Sequence, residues 1–238
     1  MEGPGPRLPA TLDEEIIAAE QAAVLSTLTD EDRLERIELE LRAGFDALAH
    51  VGAAVSIFGS ARTARDDPEY ALARRTARVL GEAGFAIITG GGPGIMEAAN
   101  RGASEADAHS IGLNIELPFE QGMNEFVGLG LEFHYFFARK VMFVRYASGF
   151  VGFPGGFGTL DELFECLTLI QTGKVRNFPI VLMGTDYWSG LIDWVVQRML
   201  AEGKISPEDL DLISITDDPV EVRRAMQSAA HRQARRPE

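Results

Sequence analysis

Apolar runs alternate with amphipathic segments along most of the chain. Runs rich in apolar and β-branched residues occur at 53–59, 85–89, 110–117, 148–153, 179–183 and 212–216. Segments with helical spacing lie between and after them, at 68–82, 94–107, 136–146, 159–172, 187–202 and 219–233. Strands that are apolar on both faces and separated by helices indicate a parallel sheet covered on both sides. The pattern therefore predicts a doubly wound α/β domain with helices on both faces of a parallel sheet.

The first 50 residues are predicted to form an N-terminal helical extension ahead of this Rossmann-like domain, which takes residues 51–238. Residues 1–10 are rich in Pro and Gly, so a disordered start is expected. Over residues 30–50, apolar positions recur close to the helical period at Leu34, Ile37, Leu41, Phe45 and Leu48. The apolar face of this amphipathic helix must pack on the domain or on a second subunit, and the pattern leaves both open.

Composition narrows the class of protein. The chain has 238 residues, of which 46% are hydrophobic, as is usual for a globular protein. No apolar run reaches the roughly 18 residues that span a bilayer, and residues 1–10 lack the apolar core of a secretion signal, so a cytoplasmic protein without a membrane partner is expected. The net charge of −14 argues against nucleic-acid binding, which needs clustered Lys and Arg. A single cysteine and histidines without ligand spacing predict no metal site.

Ligands in doubly wound sheets bind beyond the carboxyl ends of the strands, so a site is expected at the strand-to-helix corners. At the first corner, Gly59 and Ser60 end a predicted strand and Arg62 follows them. An anion could approach the backbone there and contact Ser60 and Arg62. A simple turn with a solvated arginine explains these residues equally well.

The second corner contains three consecutive glycines, Gly90 to Gly92, ahead of Pro93 and Gly94. The glycines clear side chains from the end of a strand, and the helix start that follows leaves N–H groups free for a phosphate or ribose, with Glu97 one turn inside. Three glycines favour a closely approaching ligand over a tight turn. The strict dinucleotide and Walker A patterns are absent, so NAD or ATP binding in the usual mode is not predicted.

The third corner is the stretch FPGGFGTLDELFE at residues 153–165. A loop that presents successive N–H groups to an anion is predicted from its glycines, Gly155, Gly156 and Gly158. Thr159 can cap the following helix or donate its hydroxyl to a phosphate, and Thr159 to Glu162 also matches a capping box in which Glu162 only bonds back to the backbone. A cap alone does not require the three glycines, so a functional interpretation is favoured.

Arg139 and Lys140 stand in a strongly apolar, aromatic helical segment, where charges are uncommon unless they face a partner or a cleft. Arg139 is therefore a candidate for binding a phosphate or a carboxylate. For Lys140, an extended side chain that reaches solvent is an equally good explanation. Three carboxylates lie off the buried stripe of the helix that follows the third corner: Asp161, Glu162 and Glu165.

Together these motifs resemble the LOG (Lonely Guy) family, whose hallmark is P-G-G-x-G-T-x-x-E. The run Pro154–Glu162 matches it at every fixed position, and the Arg139–Lys140 pair and the Gly90–Gly94 corner match as well. The resemblance covers about residues 53–217. It implies a homodimeric phosphoribohydrolase, without metal or cofactor, that cleaves nucleoside 5'-monophosphates to free base and ribose 5-phosphate. AMP and N6-substituted AMP, such as the cytokinin nucleotide N6-isopentenyl-AMP, are the implied substrates.

Carried over residue by residue, the resemblance implies that Glu162 and Arg139 are the catalytic pair. Glu162 would stabilise an oxocarbenium-like state and deprotonate the attacking water, its ionised form favoured by the start of its helix, while Arg139 would position the substrate. The residues expected to contact substrate are Gly59, Ser60, Gly91, Gly92, Glu97, Lys140, Gly155, Gly156, Gly158, Thr159 and Glu165. A protein of the same fold that carries a nucleotide or a molybdenum cofactor without hydrolysis is the alternative. Lysine decarboxylation, a label that many relatives carry, is not predicted, because no lysine stands in a recognisable cofactor setting.

Overall fold

The computed structural model describes residues 8–17, 28–117 and 122–234, so the expected disordered start at residues 1–10 lies mostly outside the described residues. The strands are β1 Ala54–Phe58, β2 Ala86–Thr89, β3 Ser110–Ile115, β4 Leu129–Phe133, β5 Phe150–Gly152, β6 Ile180–Met183 and β7 Ile213–Thr216. They form one seven-stranded sheet in the order β4-β3-β2-β1-β5-β6-β7, and every pair is parallel. The predicted parallel sheet is confirmed.

The edge strand β4 is the strand that the sequence pattern does not predict. It reads LGLEF, and its first four residues alternate between half-buried and exposed. It pairs with β3 on one side only, through Ile111 to Leu129 and the pairs that follow. A short run with a glycine and a glutamate lacks the continuous apolar character of strands buried on both faces, which is why it was not recognised.

Helices cover both faces of the sheet. In the α/β domain they are α3 Pro68–Glu82, α4 Ile95–Glu105, α5 Phe136–Arg145, α6 Phe157–Gln171, α7 Thr185–Trp194 and α8 Pro219–Ala234. The chain continues from α7 as a π-helix, Val195–Leu200, and a 3-10 helix, Pro207–Leu212, precedes β7. One apolar core lies under α3, α4 and α8, and the other lies under α5, α6 and α7. The doubly wound class is confirmed.

The N-terminal extension contains α1, Leu12–Ile17, and α2, Asp30–Leu48. Helix α2 begins with a capping box: Asp32 N donates to Thr29 Oγ1 at 3.2 Å, and Thr29 N donates to the Asp32 carboxylate at 2.9 Å. Its apolar positions Ile37, Leu41 and Phe45 pack on the core that also holds α5 and α6. Of the two partners that the sequence left open, the domain itself is therefore one. No helix in the described part of the chain is long and apolar enough to cross a membrane.

Candidate active site at the carboxyl ends of the strands

A cavity of about 880 Å³ lies where β1, β2, β3 and β5 end. All three corners that the sequence singled out contribute to its walls, in agreement with the rule that ligands bind beyond the carboxyl ends of the strands. The predicted residues that line it are Gly59, Ser60, Gly92, Arg139, Gly155, Gly156, Gly158, Thr159 and Glu162. Four other residues that were predicted to contact substrate do not line the cavity: Gly91, Glu97, Lys140 and Glu165.

The corner between β5 and α6 opens directly into the cavity. Helix α6 begins at Phe157, two residues before Thr159, and its cap residue is Gly156, which has no side chain to offer. The capping-box interpretation of Thr159 and Glu162 is therefore wrong, because both residues lie inside the helix. The first N–H groups of a helix have no partner four residues back. Thr159 N donates to the carbonyl of Gly156 at 3.0 Å, so the donors that the start of α6 can present at the cavity wall are those of Phe157 and Gly158.

The glycines of this corner differ in what surrounds them. A Cβ on Gly155 would clash with the side chain of Thr159, so packing requires glycine there. A Cβ on Gly156 or Gly158 would have no heavy atom of the described residues within 4 Å. Neither of these two glycines has a positive φ, and both line the cavity. Glycine at these two positions is explained by neither the packing nor the backbone conformation of the chain.

The corner between β2 and α4 is held by the protein itself. Gly91 has a φ of +73°, and a Cβ there would lie 3.2 Å from Cα of Gly112. The residue therefore faces the backbone of Gly112 and not the cavity. Gly94 has a φ of +67°, and a Cβ there would clash with the carbonyl of Ser60. The Asn124 amide donates to the carbonyls of Gly91 and Gly92 at 2.9 Å each. Packing and backbone conformation therefore account for Gly91 and Gly94.

Glu97, in the first turn of α4, is buried and fully engaged. Arg65 Nε lies 2.6 Å from its carboxylate, and Tyr70 donates its hydroxyl at 2.7 Å. Burial acts to raise the pKa of Glu97, but these two partners outweigh burial, and the pKa lies below its usual value. The Glu97 side chain thus forms an ion pair with Arg65 and does not line the cavity.

Glu162 is 5% exposed, lines the cavity, and its Oε2 makes no hydrogen bond to any described residue. Burial raises the pKa of Glu162 to about 7, and the charges of Lys140 and Arg139 offset only part of that effect. The expectation that the helix start would favour the ionised form is wrong. Because α6 begins at Phe157, Glu162 lies in the second turn, beyond the reach of the terminal N–H groups, and desolvation dominates.

Arg139 lies on α5 and is one of the residues that line the cavity. Its Nε donates to the carbonyl of Leu113 at 2.7 Å, and its guanidinium stacks over the Phe143 ring at 5.0 Å. A Cβ on Gly90 would clash with Nη2, so the absence of a side chain at Gly90 makes room for the guanidinium. Burial lowers the pKa of Arg139 to about 10, which leaves the group charged at neutral pH.

Lys140 and Glu165 form an ion-pair cluster behind Glu162. The Lys140 amine lies 2.8 Å from Asp161 and 2.7 Å from Glu165, which ties α5 to α6. Lys140 therefore does not extend freely into solvent. Burial acts to lower its pKa, but the two carboxylates raise it above the usual value. Its fixed charge is one of the two that oppose the protonation of Glu162.

Several cavity residues were not among the predicted contacts, and these include Asp67, Glu69, Met96, Asn114, Phe136 and Tyr187. Tyr187 donates its hydroxyl to the carbonyl of Gly155 at 2.8 Å and so holds the glycine loop. It follows β6 at another strand-to-helix corner, and Asn114 is a polar residue near the end of β3, so the rule about strand ends could have found both. No cluster of side chains that could hold a metal ion occurs within residues 8–17, 28–117 and 122–234.

Fold and cavity together define an α/β protein whose site lies at the carboxyl ends of a parallel sheet. A family model described as "Possible lysine decarboxylase" matches residues 96–226, and the chain belongs to this family. A probable cytokinin riboside 5'-monophosphate phosphoribohydrolase of the LOG group from Arabidopsis thaliana is 29% identical over 122 residues, which are 51% of this chain and 60% of that protein. The family resemblance stated from the motifs is thereby confirmed.

A second relative is longer. The pyrimidine/purine nucleotide 5'-monophosphate nucleosidase of Escherichia coli K12 is 31% identical over 183 residues, which are 69% of this chain and 38% of that protein. The chain thus spans less than two thirds of either relative. Among solved structures, the molybdenum cofactor carrier protein of Chlamydomonas reinhardtii superposes with a TM-score of 0.57 at 20% identity, over 76% of this chain and 99% of that one. At that identity the likeness establishes the fold alone.

Proposed function

We propose that the chain hydrolyses the N-glycosidic bond of nucleoside 5'-monophosphates and releases free base and ribose 5-phosphate. The observation that carries the proposal is Glu162, a buried carboxylate at the wall of the cavity with one oxygen unbonded within the described residues. A buried ionisable group without a full set of partners destabilises the fold, so its presence in a cavity points to a role with a ligand.

The glycine loop supports a phosphate at one end of the cavity. Gly156 and Gly158 leave the start of α6 uncovered, so an anion can approach the unbonded N–H groups there closely. The N-terminus of a helix favours negative charge through its dipole and its free donors. We therefore propose that the 5'-phosphate of the substrate binds at the corner between β5 and α6.

Glu162 then lies one helical turn from the phosphate site, at a distance suited to the sugar. In the hydrolysis the C1'–N bond breaks, the oxygen of a water bonds to C1', and the departing base takes up a proton. A carboxylate close to C1' stabilises the positive charge that develops on the sugar and accepts a proton from the water. With a pKa of about 7, Glu162 supplies both ionisation states near neutral pH.

Arg139 positions the substrate in this scheme. Its guanidinium is held by the Leu113 carbonyl and the Phe143 ring, so it presents a fixed cation to the cavity. A cation beside Glu162 favours the ionised carboxylate and binds the anionic substrate, and its effect is one of charge and orientation rather than proton transfer. Lys140 adds charge from behind without lining the cavity.

The names of the relatives support the same reaction class. One is named for cytokinin riboside 5'-monophosphates and the other for pyrimidine and purine nucleotide 5'-monophosphates. We therefore propose AMP and N6-substituted AMP as the first substrates to examine, with other 5'-monophosphates as the wider class. The cofactor-carrier alternative predicts tight binding without release of base.

The test is base release from AMP, GMP, CMP, N6-isopentenyl-AMP and the matching nucleosides, measured by chromatography for the wild type, Glu162→Gln and the control Glu202→Gln. Glu202 is exposed, pairs with Arg198 and is not among the residues that line the cavity. We expect release from monophosphates only, reduced about 10²- to 10⁴-fold in Glu162→Gln and unchanged in the control. Near-normal turnover by a folded Glu162→Gln would overturn the assignment. Tight nucleotide binding without release would favour the carrier.

We further propose that the chain works as a homodimer through the outer faces of α5 and α6. Phe137 and Val141 on α5 are 44% and 42% exposed, and Phe157 at the start of α6 is 90% exposed at the cavity mouth. Exposed apolar side chains of this size on adjacent helices are typical of an interface. Sedimentation of the wild type and of Val141→Asp tests this, because the substitution should shift a dimer towards monomer, and a wild-type monomer at micromolar concentration would contradict the proposal.

A further inference from the structure

The start of α5 is capped by side chains from the N-terminal extension. The cap residue of α5, Tyr135, makes no side-chain cap of its own. Instead, the Glu40 carboxylate accepts from His134 N at 2.9 Å and from Tyr135 N at 3.1 Å, and the Asp13 carboxylate accepts from Phe136 N at 3.1 Å. Backbone N–H groups at a helix start need such acceptors, and here α1 and α2 supply them.

The contact with α2 continues along α5. A Cβ on Gly44 of α2 would lie 2.7 Å from Cε of Met142, so the two helices approach closely at that point. Near the end of α5, the Tyr146 hydroxyl donates to the carbonyl of Phe45 at 3.2 Å. The side chain of Glu40 is itself only 9% exposed and also lies 2.9 Å from the His134 ring nitrogen. Helix α2 thus fixes both the start and the axis of α5.

Arg139 lies one turn inside this capped start. Its backbone N–H donates to the carbonyl of Tyr135, the residue whose own N–H is held by Glu40. Its guanidinium is fastened to Leu113 in β3, and α1 contacts the end of that strand as well, since Leu12 N donates to the Glu116 carboxylate at 3.2 Å. The extension therefore contacts the helix that carries Arg139 and the segment just beyond the strand that orients it.

We infer that Asp13 and Glu40 are positioning residues for the hydrolysis, which act by holding the start of α5 so that Arg139 stays fixed in the cavity. The inference rests on the proposed function for its kinetic part, and its structural part stands without it. It gives the N-terminal extension a role in the site although neither carboxylate lines the cavity. A displacement of about 1 Å at a positioning group can cost up to 10²-fold in rate, so the effect is measurable.

The first arm of the test reads Arg139 directly. The Nε–H of Arg139 donates to Leu113, so its ¹⁵N-resolved resonance, identified by its loss in Arg139→Lys, reports hydrogen exchange at that bond. In the full chain we expect Asp13→Ala and Glu40→Ala to speed this exchange about tenfold. Glu38→Ala is the matched control on α2, because Glu38 is exposed and pairs with exposed Arg42, and it should leave the exchange rate unchanged.

The second arm is kinetic and uses AMP. We expect kcat to fall about tenfold in Asp13→Ala and Glu40→Ala with KM within threefold of the wild type, because the glycine loop is untouched. Asp13→Asn retains one acceptor oxygen for Phe136 N and should restore most of the rate, which a general loss of stability would not explain. If either alanine variant does not fold, Asp13→Asn and Glu40→Gln are measured in its place. Glu40→Gln should have a lower kcat than the wild type, because one of the two acceptor oxygens of Glu40 is lost.

The two arms keep this inference separate from the proposed function. Unchanged exchange at Arg139 in the folded variants overturns the inference whatever the activity of the wild type. Faster exchange with an unchanged kcat also overturns it, since Arg139 would then be loosened without consequence. A wild type that releases no base, with faster exchange in the variants, removes the proposed reaction but leaves the mechanical link between the extension and Arg139.

Discussion

The corners after β2 and β5 look alike in the sequence but differ in what requires their glycines. After β2, Gly94 has a positive φ and lies against the carbonyl of Ser60, so the fold demands a glycine there. After β5, Gly156 and Gly158 have no heavy atom of the described residues near the position of a Cβ, and both line the cavity. The corner after β2 is explained by the protein itself, whereas the corner after β5 has space that a ligand would fill.

A glutamate inside each of the two helices repeats the contrast. Glu97 in α4 is paired with Arg65 and Tyr70, and its pKa is lowered. Glu162 in α6 has an oxygen without a hydrogen bond to any described residue, and its pKa is raised. A glycine-rich corner followed by an acid is therefore not by itself a functional signal. The functional signal is a glycine or an acid whose presence the surrounding protein does not explain.

Gly94→Ala should produce the largest effect, because it breaks the corner that the protein itself holds. A side chain at a φ of +67° is strained, and its Cβ would also meet backbone atoms of Ser60 and Ala61, which cannot move aside easily. We expect the free energy of unfolding to fall by about 3 kcal/mol or more. Urea denaturation measures it, with Gly190→Ala as control, since Gly190 has open space and no positive φ. A loss below about 1 kcal/mol would contradict this account of the corner after β2.

Substitution of the two glutamates should change the pH dependence of stability in opposite directions. The folded chain holds the Glu162 proton up to about pH 7, whereas the unfolded chain releases it near the ordinary glutamate pKa of 4.5. Glu162 therefore costs stability as pH rises through that window, and Glu162→Gln should become more stable than the wild type above pH 7 by about 1–3 kcal/mol. At pH 4.5 and below the difference should vanish.

Glu97 has the opposite sign. Its folded pKa lies below its usual value, so its stabilisation is present above the unfolded pKa and is lost as pH falls through the folded one. Glu97→Gln should thus be less stable than the wild type at neutral pH, with a gap that narrows in acid. Unfolding curves at pH 4.5, 6 and 8 measure both variants. If the difference in free energy of unfolding from the wild type changed with pH in the same direction for both variants, the contrast between the two glutamates would be wrong.

The sequence predicts the fold and the place of the site better than it predicts the state of the residues there. Apolar strands that alternate with helices indicate the parallel sheet, and the glycine corners indicate where the cavity lies. The edge strand β4 is missed because its short run contains a glycine and a glutamate and lacks the continuous apolar character of the other strands. The ionisation of Glu162 is predicted wrongly because its burial depends on packing from α5 and α6. Gly91 and Glu97 show the same limit, since contacts distant in sequence turn them away from the cavity.

Gly90→Ala probes a glycine after β2 that makes room for the Arg139 guanidinium. The new Cβ would clash with Arg139 Nη2 and the sulfur of Met96, both ends of flexible side chains that can move. We expect the free energy of unfolding to change little and kcat/KM for AMP to fall about tenfold, which corresponds to about 1.4 kcal/mol, as the guanidinium is displaced. Steady-state kinetics beside a thermal melt measures this. An unchanged kcat/KM with an unchanged melting temperature would show that activity does not depend on the position of the Arg139 guanidinium beside Gly90.

Gly158→Ala should produce the smallest change in stability and the clearest separation of stability from function. The residue lies in the first turn of α6, and an added Cβ would have no heavy atom of the described residues within 4 Å, so the substitution should raise the free energy of unfolding by about 0.5 kcal/mol, because alanine restricts the unfolded chain. The methyl group would meanwhile occupy the space through which a phosphate approaches the N–H groups, so KM for AMP should rise. Gly190→Ala, in the interior of α7, should give a similar gain in stability without a change in KM. An unchanged KM in Gly158→Ala would mean that the open space at the corner after β5 is not where the phosphate binds, and the contrast between the two corners would lose its functional meaning.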